Sequence, residues 1–199
     1  LNEHAAPLSE QLAGLEAVVS HYNMADYIAV ESQNHVWKTN WKLLTENFME
    51  GYHLPVAHKA TVGAWLPVED TGFPEQVFEA FTYQTFQKDE KATYGRAHPD
   101  NKTLTGENRH TSIMPTVFPT HMYVLAPDHL WYLTLRPRGI GEVEVRFGVA
   151  LAPEVYNSLA DKEAWLARLV DFFDHVNEED RFVVEGIFAC SMFDVSFVV

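Results

Sequence analysis

Between Thr111 and Ala152 the chain leaves little room for anything but neighbouring antiparallel strands. Thr111 to Ala126, His129 to Arg138 and Glu142 to Ala152 are three runs rich in β-branched and aromatic residues. Only Pro127-Asp128 and the turn formers Pro137-Arg138-Gly139-Ile140-Gly141 separate them. Connections this short join strands into an antiparallel meander. The segment that follows, about Pro153 to Ala189, places Leu166, Leu169/Val170, Phe173, Val176, Val183/Val184 and Ile187 at helical steps, which marks one long helix with a single apolar face. A half-apolar sheet and a half-apolar helix bury one another, so the expected class is α+β, with a curved antiparallel sheet gripping a long C-terminal helix.

The rest of the chain is compatible with that plan. Pro7 to Tyr22 repeats Leu8, Leu12, Leu15, Val18/Val19 and Tyr22 at helical spacing, and Tyr27 to Trp37 reads as a strand. Asn40 is a suitable N-cap for a helix running through WKLLTENFMEGYH, and Pro55 is expected to stop it. A further strand is expected over Val77 to Gln87. Lys88 to Asn108 (KDEKATYGRAHPDNKTLTGEN) reads as a long solvated loop, placed to cover a pocket entrance.

Composition narrows the functional classes. With 199 residues the chain suits one large domain or two small ones, and no run reaches the roughly 18 apolar residues needed to span a bilayer. A formal charge of -14, from 14 Lys+Arg against 28 Asp+Glu, argues against binding a nucleic acid backbone. The single cysteine, Cys190, excludes a disulfide framework, a cysteine-based zinc site and any iron–sulfur cluster held by this chain alone. It fits a reducing cytoplasm. The chain begins at Leu1 rather than Met, as a processed chain or a fragment would.

Ten histidines are many for this length, but most need no special role. His4, His21, His98 and His110 lie in or near the first helix or the solvated loop. His35, His121 and His129 alternate within strands, where packing is expected and pocket lining is the alternative. His53 and His58 differ. Five apart on an unbroken helix, they would diverge by about 140° and could not share an ion, but a chain turned by Pro55 can bring them together. Two imidazoles and one carboxylate on one face of an octahedron leave positions open on Fe(II) for O₂ chemistry.

The carboxylate would come from the last helix. Asp180 lies on the stripe Phe173, Val176, Asp180, Val184, Ile187, whereas Glu178 and Glu179 are expected in solvent. A carboxylate on an apolar face needs a salt-bridge partner or a metal; Glu179 and Asp174 remain the alternatives to it. Glu50, three before His53, is placed to accept that ring's outer N–H. Asn47 has two readings, an amide near the open coordination positions or ordinary helix packing.

The segment NWKLLTENFMEGYHLPVAHK, Asn40 to Lys59, resembles the catalytic-domain signature of the Rieske non-haem iron oxygenases, the ring-hydroxylating dioxygenase α-subunits and their monooxygenase relatives. NEEDRFVVE, Asn177 to Glu185, is similar to that family's ligand-bearing helix. The resemblance implies an SRPBCC, or helix-grip, fold and a mononuclear Fe(II) held by His53, His58 and Asp180. It also implies that Glu50 bridges electron transfer from a Rieske [2Fe–2S] cluster in a neighbouring subunit. Many members have Asp at that position; Glu resembles some that act on quaternary ammonium compounds. The family's Cys-x-His and Cys-x-x-His cluster ligands have no counterpart here, so residues 1–199 are expected to be a single catalytic domain without its Rieske domain. The run after Phe188, ACSMFDVSFVV, also departs from the family's usual polar continuation.

By the same resemblance the complete enzyme would be a homotrimer. A reductase or ferredoxin would feed it from NAD(P)H, and it would hydroxylate or dealkylate a small aromatic or quaternary ammonium substrate with O₂. Met122, Tyr123, Trp131 and Tyr132 are candidates for the pocket wall, with plain core packing as the alternative. Two other classes are set beside this one. The first is a non-catalytic helix-grip domain binding an apolar molecule. The second is a zinc hydrolase, which the absence of a HExxH motif disfavours.

Overall fold

The computed structural model describes residues 4–66, 68–87 and 94–194. The N-terminal segment forms two short helices, α1 (Leu8–Gln11) and α2 (Ala13–Val19), then β1 (Ile28–Trp37). Helices α3 (Trp41–Met49) and α4 (Leu54–Ala57) follow, then β2 (Thr71–Gly72) and β3 (Phe81–Gln87). The meander is β4 (Thr111–Val117), β5 (His121–Leu125), β6 (His129–Gly139) and β7 (Glu142–Leu151), and the chain closes with α5 (Pro153–Ser158) and α6 (Lys162–Asp194). All seven strands belong to one open antiparallel sheet in the order β1-β7-β6-β5-β4-β3-β2. The expected α+β architecture, a sheet carrying a long C-terminal helix, is the one observed.

Side chains alternate across each strand, so the sheet has two covered faces. Trp131, Leu133, Leu135, Val145, Phe147 and Val149 face α3 and α6, where Leu44, Phe48, Phe173 and Val184 meet them. Tyr123, Leu125, Ile113 and Phe81 face the other way, against Leu15, Val19 and Tyr22 of the N-terminal segment. The chemistry lies on the first side.

Two junctions hold α3 and α6 there. Asn40 caps α3, its side-chain oxygen accepting the Lys42 N–H (2.9 Å), while its amide donates to the Ile140 carbonyl (2.8 Å) in the β6–β7 turn. The fully buried Thr39 hydroxyl donates to the Val184 carbonyl (2.9 Å), pinning the middle of α6 to the end of β1.

Local boundaries differ from expectation where one residue overrides a pattern. The run from Thr111 to Ala126 is two strands, because Phe118-Pro119-Thr120 turns the chain between β4 and β5. The last helix is interrupted at Leu159–Asp161 and restarts as α6. Its buried stripe runs through Phe173, Asn177, Asp180 and Val184, but Ile187 is exposed; Phe188 instead turns its ring towards Gly141. The expected strand from Val77 begins only at Phe81, and Val77 is exposed. The solvated-loop reading also needs correction: Leu104 is buried in the second core, and Asn101 folds the loop by accepting the Thr103 and Leu104 N–H groups. Residues 88–93 of that loop and 195–199 of the closing run lie outside the described residues.

Candidate metal centre

Helix α3 ends at Met49, earlier than Pro55 would dictate. The cause is Glu50, whose Oε2 accepts the backbone N–H groups of Tyr52 (2.5 Å) and His53 (3.1 Å), replacing helical acceptors with a side-chain turn. His53 therefore caps the next helix rather than ending the last one, and Pro55 sits in the first turn of α4, where its missing N–H costs nothing. His58 follows directly as the C-cap of α4. The two histidines thus bracket the single turn of α4, with Pro55 inside that turn rather than breaking it, and their ring centroids lie 5.2 Å apart.

Asp180 of α6 completes the group. Its Oδ1 lies 3.1 Å from His58 Nε2 and 3.5 Å from His53 Nε2, and one ligand atom from each residue falls within 4.8 Å of the others. Both outer nitrogens are engaged: His53 Nδ1 with Glu50 Oε1 (2.6 Å), and His58 Nδ1 with Glu179 Oε2 (2.8 Å). An imidazole that donates Nδ1–H to a carboxylate turns its Nε2 lone pair inward, the orientation a metal ligand needs. Asn47 Nδ2 donates to Asp180 Oδ1 (2.8 Å), and the Thr61 hydroxyl donates to Glu179.

The electrostatics favour a cation. Burial alone would lower the His58 pKa, but its hydrogen bonds and charge interactions with Asp180 and Glu179 outweigh that and hold it above the ordinary value. Asp180 is 8% exposed, and among the described residues its ion-pair partners are these two histidines. Such a carboxylate, facing two inward Nε2 atoms, fits a divalent metal with nitrogen and oxygen preference.

The group opens on a cavity of about 340 Å³ between the sheet and α6. Phe86, Met114 and Trp131 line it from the sheet, and Trp165, Phe172 and Phe173 from α6. Of the four wall candidates, Trp131 lines this cavity. Met122 shares its face but is sealed in the core, and Tyr123 and Tyr132 point to the opposite face by the strand alternation. Asp174 does not join the metal group. Glu179, expected in solvent, instead reaches His58 from the side; 100° from Asp180 on a helix suffices when the partner sits beside the stripe. The spacing offers Glu179 only as an alternative metal ligand, not as the partner of the outer His58 nitrogen, and it does not mark Thr61 or Asp128.

A search among curated proteins finds no match to this chain. Solved structures of similar fold include the quaternary ammonium Rieske monooxygenase CntA in complex with an inhibitor, at 16% identity and TM-score 0.71, covering 94% of this chain and 47% of that one. Naphthalene 1,2-dioxygenase from Rhodococcus sp. matches at 19% identity and TM-score 0.70, covering 96% and 51%. Dicamba monooxygenase bound to dicamba matches at 12% identity and TM-score 0.58, covering 100% and 57%. At these identities the likeness is one of fold, and the chain spans about half the length of each of these structures. The family model described as "Ring hydroxylating alpha subunit (catalytic domain)" matches residues 24–189, most of the sequence, and the chain therefore belongs to that family.

Proposed function

We propose that this chain is the mononuclear-iron catalytic domain of a Rieske-type oxygenase that hydroxylates or dealkylates a small aromatic or quaternary ammonium compound. The observation that carries this is the convergence of two inward Nε2 atoms and the buried Asp180 at the wall of an apolar cavity. His53, His58 and Asp180 would hold Fe(II), which when bound supplies the reductive activation of O₂. Glu50 and Glu179 hold the two rings in the ligating tautomer, and Asn47 fixes the carboxylate. The aromatic walls exclude water and hold an organic substrate beside the metal group.

Electrons would arrive from NAD(P)H through a reductase or ferredoxin and a Rieske [2Fe–2S] cluster on a neighbouring subunit, in a cytoplasmic homotrimer. Among the described residues no helix is long and apolar enough to cross a membrane. Glu50 is suited to receive the neighbour: its side chain is 37% exposed while it touches the His53 ring. Tyr52, Val56 and Phe182 stand exposed around it and supply apolar surface for a docked domain.

The test is anaerobic Fe(II) titration followed by turnover with a Rieske donor and O₂. One Fe(II) per chain is expected; a folded chain that takes up no iron but binds apolar molecules is a helix-grip binding domain instead. Glu50→Gln should slow donor-driven turnover about 10–100-fold while most of the Fe(II) stays bound. Equal rates for the two proteins would remove Glu50 from the electron path.

A further inference from the structure

The cavity has a second polar end, which the metal group does not use. At the start of β6, Asp128 Oδ1 accepts from His129 Nδ1 (2.7 Å), and its Oδ2 accepts the Gly95 N–H (2.7 Å). Both residues line the cavity. Burial would raise the Asp128 pKa, but the charge and hydrogen bond of His129, with backbone N–H groups, hold it below the usual carboxylate value. The carboxylate is thus fully charged and already engaged at each oxygen. The other ring nitrogen of His129, Nε2, has no hydrogen-bond partner among the described residues.

Trp131 lies two residues along the same strand and therefore on the same face. Both rings pack on Phe173, with centroids 5.7 Å away for His129 and 5.6 Å for Trp131. Among the described residues the buried Trp131 indole N–H has no acceptor. A buried donor left unpaired costs free energy unless a ligand completes it. Phe173 and Asp180 are two turns apart on α6, about 10 Å, so this polar end stands one small molecule's length from the metal group.

We propose that Asp128, His129 and Trp131 form a carboxylate-binding subsite that holds an aromatic acid with its ring directed towards His53, His58 and Asp180. The proposal rests on the oxygenase reading and narrows its substrate class. A ligand carboxylate set against Nε2 would accept a hydrogen bond there while Nδ1 stays on Asp128, so the ring bridges the two carboxylates. Trp131 adds a neutral donor. A quaternary ammonium group can accept no hydrogen bond from the indole N–H, which presents a positive hydrogen to it.

Calorimetric titration of the Fe(II)-loaded chain with benzoate and with benzyltrimethylammonium tests this. Benzoate should bind and the cation should bind at least about 10-fold more weakly, given the strength of charge-assisted hydrogen bonds. Trp131→Phe keeps the ring and removes the donor, and should weaken benzoate about 5–10-fold; His129→Leu should weaken it more than 10-fold. Melting temperatures of the variants establish that the fold survives. No benzoate binding, preference for the cation, or unchanged benzoate affinity in Trp131→Phe would overturn the subsite. Iron content is measured on the same samples, so loss of the oxygenase reading shows separately as a chain without Fe(II).

Discussion

Asp180→Ala should abolish stoichiometric Fe(II) binding, whereas Glu179→Ala should only weaken it. The two carboxylates are adjacent in sequence and both touch His58, yet they touch different nitrogens. Asp180 faces Nε2 of His58 and of His53, while Glu179 holds the outer Nδ1 of His58. Losing Asp180 leaves two neutral nitrogen donors and no charge of opposite sign between them. Losing Glu179 leaves the ligand set intact and frees one ring to rotate, a change that typically costs about 10–100-fold in metal affinity. Asn47→Ala belongs with Glu179→Ala, since it removes the hydrogen bond that orients Asp180 (2.8 Å). The measurement is an anaerobic competition titration against a coloured chelator. Stoichiometric iron in Asp180→Ala together with none in Glu179→Ala would exchange the two roles.

That contrast also shows what could be read in the sequence. His53, His58 and Asp180 are singled out by an expected break at Pro55 between two histidines and by helical steps along one stripe, both of which are local patterns. The break stands at Glu50 and Gly51, before both histidines, and Pro55 lies inside the short helix α4 that joins them. Helix rules treat Glu50 as an ordinary helical residue, and only its hydrogen bonds to Tyr52 and His53 reveal that it ends α3. The role of Glu179 at the outer His58 nitrogen is hidden for a related reason. A helical wheel sorts residues by distance from the apolar stripe, but a partner at the stripe's margin makes the margin a polar site. On the sheet, alternation separates Trp131 from Tyr132 without ambiguity once the register is known, yet the sequence alone does not say which parity faces α6. The proline inside Thr111 to Ala126 was a legible signal for the β4–β5 turn. Its strand-forming neighbours hid it.

The backbone around His58 supplies the other large expected effect. Gly63→Ala should both destabilise the fold and weaken iron binding, although the contacts of residue 63 with His58 are to its backbone. A Cβ built at Gly63 would stand 2.5 Å from the Leu54 carbonyl oxygen and 2.7 Å from that of His58. These are backbone atoms at the two ends of α4, and they cannot swing aside as a side chain would. The His58 carbonyl also accepts the N–H groups of Gly63 (2.8 Å) and Thr61 (3.1 Å), so the clash falls on the turn that fixes the ligand. Thr61 in turn holds Glu179 against the His58 ring, which carries the disturbance to both sides of the imidazole. Overpacking of this kind typically costs about 1–3 kcal/mol, and a ligand moved by a fraction of an ångström should lose about 10-fold or more in metal affinity. Gly186→Ala on α6 is the control, because a Cβ there meets nothing within 4 Å and an exposed helical alanine gains about 0.5–1 kcal/mol. Urea unfolding and Fe(II) titration of both variants decide the matter. If Gly63→Ala unfolds and binds iron like the parent, close backbone packing is not what positions His58, and the burden shifts to its contact with Glu179.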